Sequence, residues 1–194
     1  HAIDRDIWKE AGAQGLFGLD IPEEFGGMGA DDYRFNAVAA EVLNGFNAAV
    51  GSCFGIHSDV CPPYIVDLGT QEQKERWLPA MAAGEKICAI AMTDLVIVAP
   101  RTDPSKGAKG ITLFMVEDGM EGFTRGRKLD KVGQEESDTS ELFFQDVRVP
   151  DSNRIGDEGM GFIAMMQRLP QERVGAACAN VAHAKQILLE TIEY

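Results

Sequence analysis

Two stretches hold residues whose type and spacing could do chemistry. In RLPQERVGAA, residues 168–177, Glu172 and Arg173 follow Pro170 at the head of a run that reads as helix. Proline is favoured at the first helical position, which predicts Glu172 in the first turn, beside the apolar FIAMM of residues 162–166. A carboxylate there has two uses. It can stabilise the positive end of a helix by a few tenths of a kcal/mol to about 1 kcal/mol, or it can act as a desolvated proton acceptor. The local residues alone favour helix-end chemistry. In the second stretch His57 stands four residues before Cys61, a spacing that could place two metal ligands on one helix face. Pro62 and Pro63 follow at once, so a helix end with no metal is the reading there.

The elements that must position these residues change character along the chain. From Phe35, apolar residues at Val38, Ala39, Val42, Leu43, Phe46, Val50 and Cys53 make a helical stripe, predicted to pack on one side. Asp31 and Asp32 precede it, where acids favour a helix start. YIVDLGT is a shorter helix ending at Gly69. Thr70 and Gln73 form a capping-box pair opening QEQKERWL, which Pro79 and Gly84 close. DIPEEFGGMGA is a loop. KICAIAM, DLVIVAP, ITLFMVE and ELFFQDVRVP are then strand-like, rich in β-branched and aromatic residues. Helix returns after Pro150, first in GMGFIAMMQRL and then along Val174, Ala177, Cys178, Val181, Lys185, Leu188 and Ile192. Helices, strands, helices in blocks indicate an α+β chain of segregated layers.

Composition narrows the function classes. The chain has 194 residues, 45% hydrophobic and 25% charged, which is that of a folded globular protein. A net charge of −13 argues against nucleic acid or an anionic membrane as partner. No apolar run reaches the ~20 residues of a membrane helix, and the charged opening HAIDRDIWKE is unlike a signal peptide. Cys53, Cys61, Cys88 and Cys178 form no CxxC pair and read as reduced, mostly buried thiols. FGGMGA and GDEGMGF lack the context of a Rossmann or P-loop phosphate cradle. The chain opens without Met and stops at Tyr194 in a helical run. Two strand-like runs also meet across Thr93–Asp94 with no turn residue between them, so residues are expected to be absent there.

Read together, IPEEFGGMG, LGTQEQKERWLPAMAAGEKICAIAMT, GRKLDKVGQEESDTSELFFQDVRVP, IGDEGMGF and LPQER resemble the acyl-CoA dehydrogenase family, its long-chain type, in the same order and nearly end to end. The resemblance implies an α-helical N-terminal domain (1–87), a β-barrel-like middle domain (88–155) and the start of an α-helical C-terminal bundle (156–194). It implies FAD, an acyl-CoA substrate, electron-transfer flavoprotein as electron acceptor and a homotetramer, with no nucleic acid and no membrane insertion. Bacterial cytoplasm is the expected compartment, the mitochondrial matrix the alternative. Where the family continues after AMT with Glu-Pro and a Gly-Ser-Asp turn, this chain passes directly from Thr93 to Asp94.

The family chemistry assigns roles residue by residue. Glu172 is the implied base for the thioester Cα proton, with the β-hydrogen leaving as hydride to the flavin. Pro170 and Gln171 are expected along the thioester end of the pocket, and Arg173 beside the acyl-CoA or in a surface ion pair. Ile90, Ala91, Met92 and Thr93 are the implied flavin contacts. Ala108 and Lys109, in the PSKGAKG loop with Lys106, are the implied contacts to coenzyme A; a second basic cluster, Arg125, Arg127, Lys128 and Lys131, is also a candidate for its phosphates. Met160, Met165 and Met166 with Phe162 and Ile163 are core or line the acyl slot. No metal is expected. The alternatives are an acyl-CoA oxidase or flavin monooxygenase on the same fold, or a non-catalytic acyl-CoA-binding subunit.

Overall fold

The computed structural model describes residues 3–88, 94–137 and 139–194. Helix α1 (Arg5–Ala13) starts where the Asp4 carboxylate accepts the Asp6 N–H at 3.0 Å, and it buries Trp8. After a short 3-10 turn at Glu23–Phe25 come α2 (Arg34–Phe46) and α3 (Ala48–Gly55), broken by Asn47, whose side chain caps α3. A π-turn (Ile56–Val60) leads into α4 (Cys61–Leu68). Helix α5 (Gln71–Ala82) opens on the capping box read from Thr70 and Gln73. Pro79 lies inside α5 rather than closing it; the turn comes at Gly84, whose φ of 68° suits glycine.

Strands β1 (Leu95–Val98), β2 (Leu113–Glu117) and β5 (Arg154–Ile155) form an antiparallel sheet in the order β1-β2-β5. Strands β3 (Phe123–Lys128) and β4 (Ser140–Phe144) make a separate two-stranded ribbon. The barrel-like expectation is therefore corrected: among the described residues the sheets stay open, since β3 and β4 pair only with each other. The five residues Ala89–Thr93, with the expected flavin contacts Ile90, Ala91, Met92 and Thr93, lie outside the described residues.

The helical layer packs on the sheet through Ile65, Trp77, Leu78 and Met81 against Leu95, Leu113, Met115 and Ile155, all buried. Polar clamps fix that register. Buried Gln73 donates to the carbonyls of Ser152 and Arg154, both at 2.8 Å, while Asn153 donates to the Met115 carbonyl at 2.9 Å. A second core gathers Trp8, Phe17 and Phe54 around the His57 ring.

Two readings of helix polarity are corrected. Phe35, Val38, Val42 and Phe46 of α2 are exposed, and the face turned inward carries Asn36 and Asn44. The period identifies which residues share a face, not which face is covered. Close packing decides it here: a β-carbon on Gly51 of α3 would come within 2.5 Å of the Asn44 side chain. The second correction concerns α6 (Gly161–Glu193), one continuous helix of 33 residues with Pro170 in its interior. Pro170 is not the first helical residue, so Glu172 does not sit at a helix N-terminus. The proline removes one backbone rung without ending the helix.

Candidate active site

Glu172 projects, partly buried, from the middle of α6 toward α4. There Tyr64, itself buried, donates its phenolic O–H to Glu172 Oε1 at 3.2 Å. Burial, the adjacent Glu172 charge and that hydrogen bond push the Tyr64 phenol up to about 12. The phenol therefore stays a donor through the neutral range, and the carboxylate has a fixed partner.

Glu172, with Ile56 and Val60, also forms the wall between two cavities. One, of about 480 Å³, lies over the sheet and is lined by Tyr64, Ile97, Leu113, Leu142, Phe144 and Met165 among others. It is almost wholly apolar. The second, of about 310 Å³, runs between α2, α3 and α6 past Ala48, Gly51, Gly55, Gly175 and Ala179. Small residues keep this passage open: a β-carbon on Gly55 would meet nothing within 4 Å. Both volumes are of the order of small-molecule sites.

A second carboxylate, Asp59, lines the smaller cavity. The π-turn supplies it. Asp59 accepts from Tyr33 Oη at 2.8 Å, from Gln171 Nε2 at 2.9 Å and from Asn36 Nδ2 at 3.3 Å. Burial and then the Asp59 partnership raise the Tyr33 phenol pKa. Asp20, which also accepts from Asn36, is raised by burial and by the Asp59 charge, against the lowering effect of the Asn36 bond.

Of the residues read from sequence, the structure brings Glu172 and Gln171 together with Tyr64 and Asp59. Pro170 and Arg173 are exposed on α6 and border neither of the two cavities. Ala108 and Lys109 are exposed in a 3-10 segment (Pro104–Gly110), away from both cavities; Lys106 in the same segment is paired with Asp103 at 3.0 Å. Arg125 pairs with Asp118 just after β2 at 2.9 Å and Lys131 bonds Thr139 at 3.0 Å, so part of the second basic cluster is engaged within the protein. Met165 lines the larger cavity, whereas Met160, Phe162 and Met166 face outward. His57 is fully buried: Nε2 donates to the Met81 carbonyl at 3.0 Å and Nδ1 accepts from the Cys88 N–H at 3.1 Å. Among the described residues no group of His, Cys, Asp and Glu is placed to hold a metal ion, and no helix is long and apolar enough to cross a membrane.

Comparison with known proteins places this geometry. Residues 1–85 match the acyl-CoA dehydrogenase N-terminal domain. The chain is 38% identical over 231 residues to the mitochondrial long-chain specific acyl-CoA dehydrogenase of Sus scrofa, covering 99% of this chain and 53% of that protein. The crystal structure of acyl-CoA dehydrogenase from Geobacillus kaustophilus superposes with a TM-score of 0.94 at 36% identity, covering 100% of this chain and 60% of that one. The chain belongs to the acyl-CoA dehydrogenase family. Within it, isovaleryl-CoA dehydrogenase of Solanum tuberosum is also similar, at 32% identity over 228 residues, covering 98% of this chain and 55% of that protein.

This acyl-CoA dehydrogenase homologue spans about half the length of the curated relatives it matches. Its match to the porcine enzyme runs over 231 residues, more than the 194 of the chain, so that relative carries positions with no counterpart here. Two residues of the candidate site were not singled out in the sequence, Asp59 and Tyr64. For Asp59 the signal was its place as the only acid between Glu41 and Asp67. Tyr64 had none, because its partner lies 108 residues away.

Proposed function

We propose that this chain forms the base-bearing part of an FAD-dependent acyl-CoA dehydrogenase, converting medium- to long-chain acyl-CoA to the trans-2-enoyl thioester. The carrying observation is one carboxylate, Glu172, oriented by a buried phenol at the junction of two cavities. Glu172 takes the proton from Cα. Tyr64 holds the carboxylate in place, so that less orientation is left to be found at the moment of transfer. The apolar cavity walls keep water from the base, and the small-residue passage has room for an alkyl chain.

The larger cavity suits a flat aromatic ring: it is lined by Ile97, Leu113, Leu142 and Phe144, with Glu172 at its edge. FAD bound there would supply the hydride acceptor for the β-hydrogen. Ile90, Ala91, Met92 and Thr93 immediately precede the strand that borders this cavity and are the proposed flavin contacts. Pro170 and Gln171 immediately precede the base, Arg173 faces outward beside it, and Ala108 with Lys109 offer an exposed loop for coenzyme A. Electron-transfer flavoprotein as acceptor, a homotetrameric assembly and a bacterial cytoplasmic setting complete the proposal.

Proton removal can be tested apart from the flavin. In deuterium oxide the purified chain should wash deuterium into Cα of palmitoyl-CoA, and Glu172→Gln should slow the exchange by about 100-fold or more. Equal rates would remove Glu172 from the role. Anaerobic bleaching of the FAD-loaded protein by palmitoyl-CoA then tests dehydrogenation, and rapid peroxide formation on admitting air would identify an oxidase. A second reading, an acyl-CoA-binding subunit without catalysis, is supported by the positions this chain lacks relative to its homologues. That protein would bind palmitoyl-CoA yet stay colourless with FAD.

A further inference from the structure

We propose that the smaller cavity takes a long alkyl chain whose far end is a carboxylate, received by His183. This inference rests on the acyl-thioester reading above and names its substrate class.

His183 follows Glu172 by eleven positions on α6, and both line the same cavity. Eleven residues make about three helical turns, so the two side chains share a face about 16 Å apart. Between them α6 offers Gly175, Ala176 and Ala179, with Ala48, Gly51 and Gly55 opposite. Such residues give an alkyl chain room and no hydrogen bonds. His183 breaks that pattern. Its Nε2 is buried and has no hydrogen-bond partner among the described residues. Leaving a buried polar atom unpaired is costly, and a ligand that bonds it recovers that cost.

Two more polar side chains stand at this end. Asn180 lies one turn before His183 on the same face. Ser52 lies seven residues before Asp59, about 10 Å along α3 and the π-turn. Because Asp59 is tied to Gln171 beside the base, Ser52 falls toward His183. Neither side chain has a hydrogen-bond partner among the described residues. A ring N–H, a hydroxyl and an amide can all donate, and a carboxylate, which only accepts, can take bonds from all three. Charge makes the same choice. His183 is the one basic side chain on the lining, and an imidazole is neutral or positive, never negative, so it favours an anion over a cation. The acids Asp59 and Glu172 stand at the opposite end, about two Debye lengths away at physiological ionic strength.

The spacing also sets a length. An extended chain advances about 1.2 Å per bond, so about thirteen bonds cover the distance between the two side chains. Counted from the carbon beside Glu172, that is an acyl chain of about fourteen to sixteen carbons.

Calorimetric titration of the purified chain tests this with myristoyl-CoA, decanoyl-CoA, the mono-CoA thioesters of tetradecanedioic and decanedioic acids, and ω-aminotetradecanoyl-CoA. The fourteen-carbon diacid thioester should bind about 10-fold tighter than myristoyl-CoA, as for hydrogen bonds to an ionised group. The ten-carbon diacid, too short to reach His183, should bind no tighter than decanoyl-CoA. His183→Leu should erase the fourteen-carbon preference while myristoyl-CoA still binds, and His183→Gln, which keeps a donor, should retain most of it. Myristoyl-CoA or the amino thioester binding as tightly as the diacid would overturn the inference, as would a preference that survives His183→Leu. Either result leaves the acyl-thioester reading intact. Failure of all the thioesters to bind would overturn both.

Discussion

The Tyr64 hydroxyl and the Glu172 carboxylate meet at 3.2 Å across the junction of α4 and α6, joining residues 108 positions apart. Because the Glu172 charge is one of the causes that raise the Tyr64 phenol to about 12, the pair has a spectroscopic signature. Glu172→Gln should lower the Tyr64 ionisation from about 12 toward the ordinary value of 10.0, burial alone keeping it raised. Tyrosinate absorbance in the near ultraviolet, with Tyr64→Phe to assign the transition, reads this directly. An unchanged titration would mean that the two groups do not face each other in solution.

Removing the phenol from the other side gives a separate outcome. Tyr64→Phe keeps the ring in the core and deletes one bond to a partly exposed carboxylate, which should cost about 1 kcal/mol in urea unfolding. The same variant should slow deuterium exchange at Cα more than it weakens thioester binding, because it loosens the base and leaves the cavity shape intact.

Burial lowers His57 from 6.5 to about 4, against the raising effect of its bonds to Met81 and Cys88. The unfolded chain therefore takes up this proton first. The stabilisation from keeping His57 neutral is complete above about pH 6.5 and is lost as pH falls toward 4, amounting to roughly 3 kcal/mol. Denaturation at a series of pH values should show this loss, and the difference between wild type and His57→Phe should isolate it. His57→Phe should be less stable at neutral pH, since it leaves the Met81 carbonyl and Cys88 N–H unpaired, with a flatter acid limb.

Gln73 does two jobs. It completes the cap of α5 and its amide holds the carbonyls of Ser152 and Arg154. Gln73→Ala should cost about 3 kcal/mol by stranding these groups in a buried site, against about 1 kcal/mol for the cap mutant Thr70→Ala. Equal losses from the two variants would mean that the tie to the strand layer contributes nothing.

Local chemistry was legible in the sequence where partners are close along the chain. Thr70 and Gln73 are three residues apart, and their capping box forms as the spacing requires. The runs around Leu95, Leu113 and Ser140 became strands, as their β-branched and aromatic content predicts. Strand β3 was hidden, because Thr-Arg-Gly-Arg-Lys advertises charge and the pairing with β4 supplies what propensity lacks. Pro170 misled for a related reason: a proline can open a helix or lie within one, and packing along α6 decides which. Asn36 and Asn44 show the limit of periodicity most clearly, since the apolar edge of α2 faces out and its amides face in. Glu172 was found through family resemblance, while Asp59 and Tyr64 become visible only when α4, the π-turn and α6 are brought together.

Glu172 stands with Ile56 and Val60 as the partition between the two chambers. A carboxylate turned away from its Tyr64 bond would redraw the wall of both chambers at once. One side-chain rotation would therefore be felt in both chambers without movement of the helices.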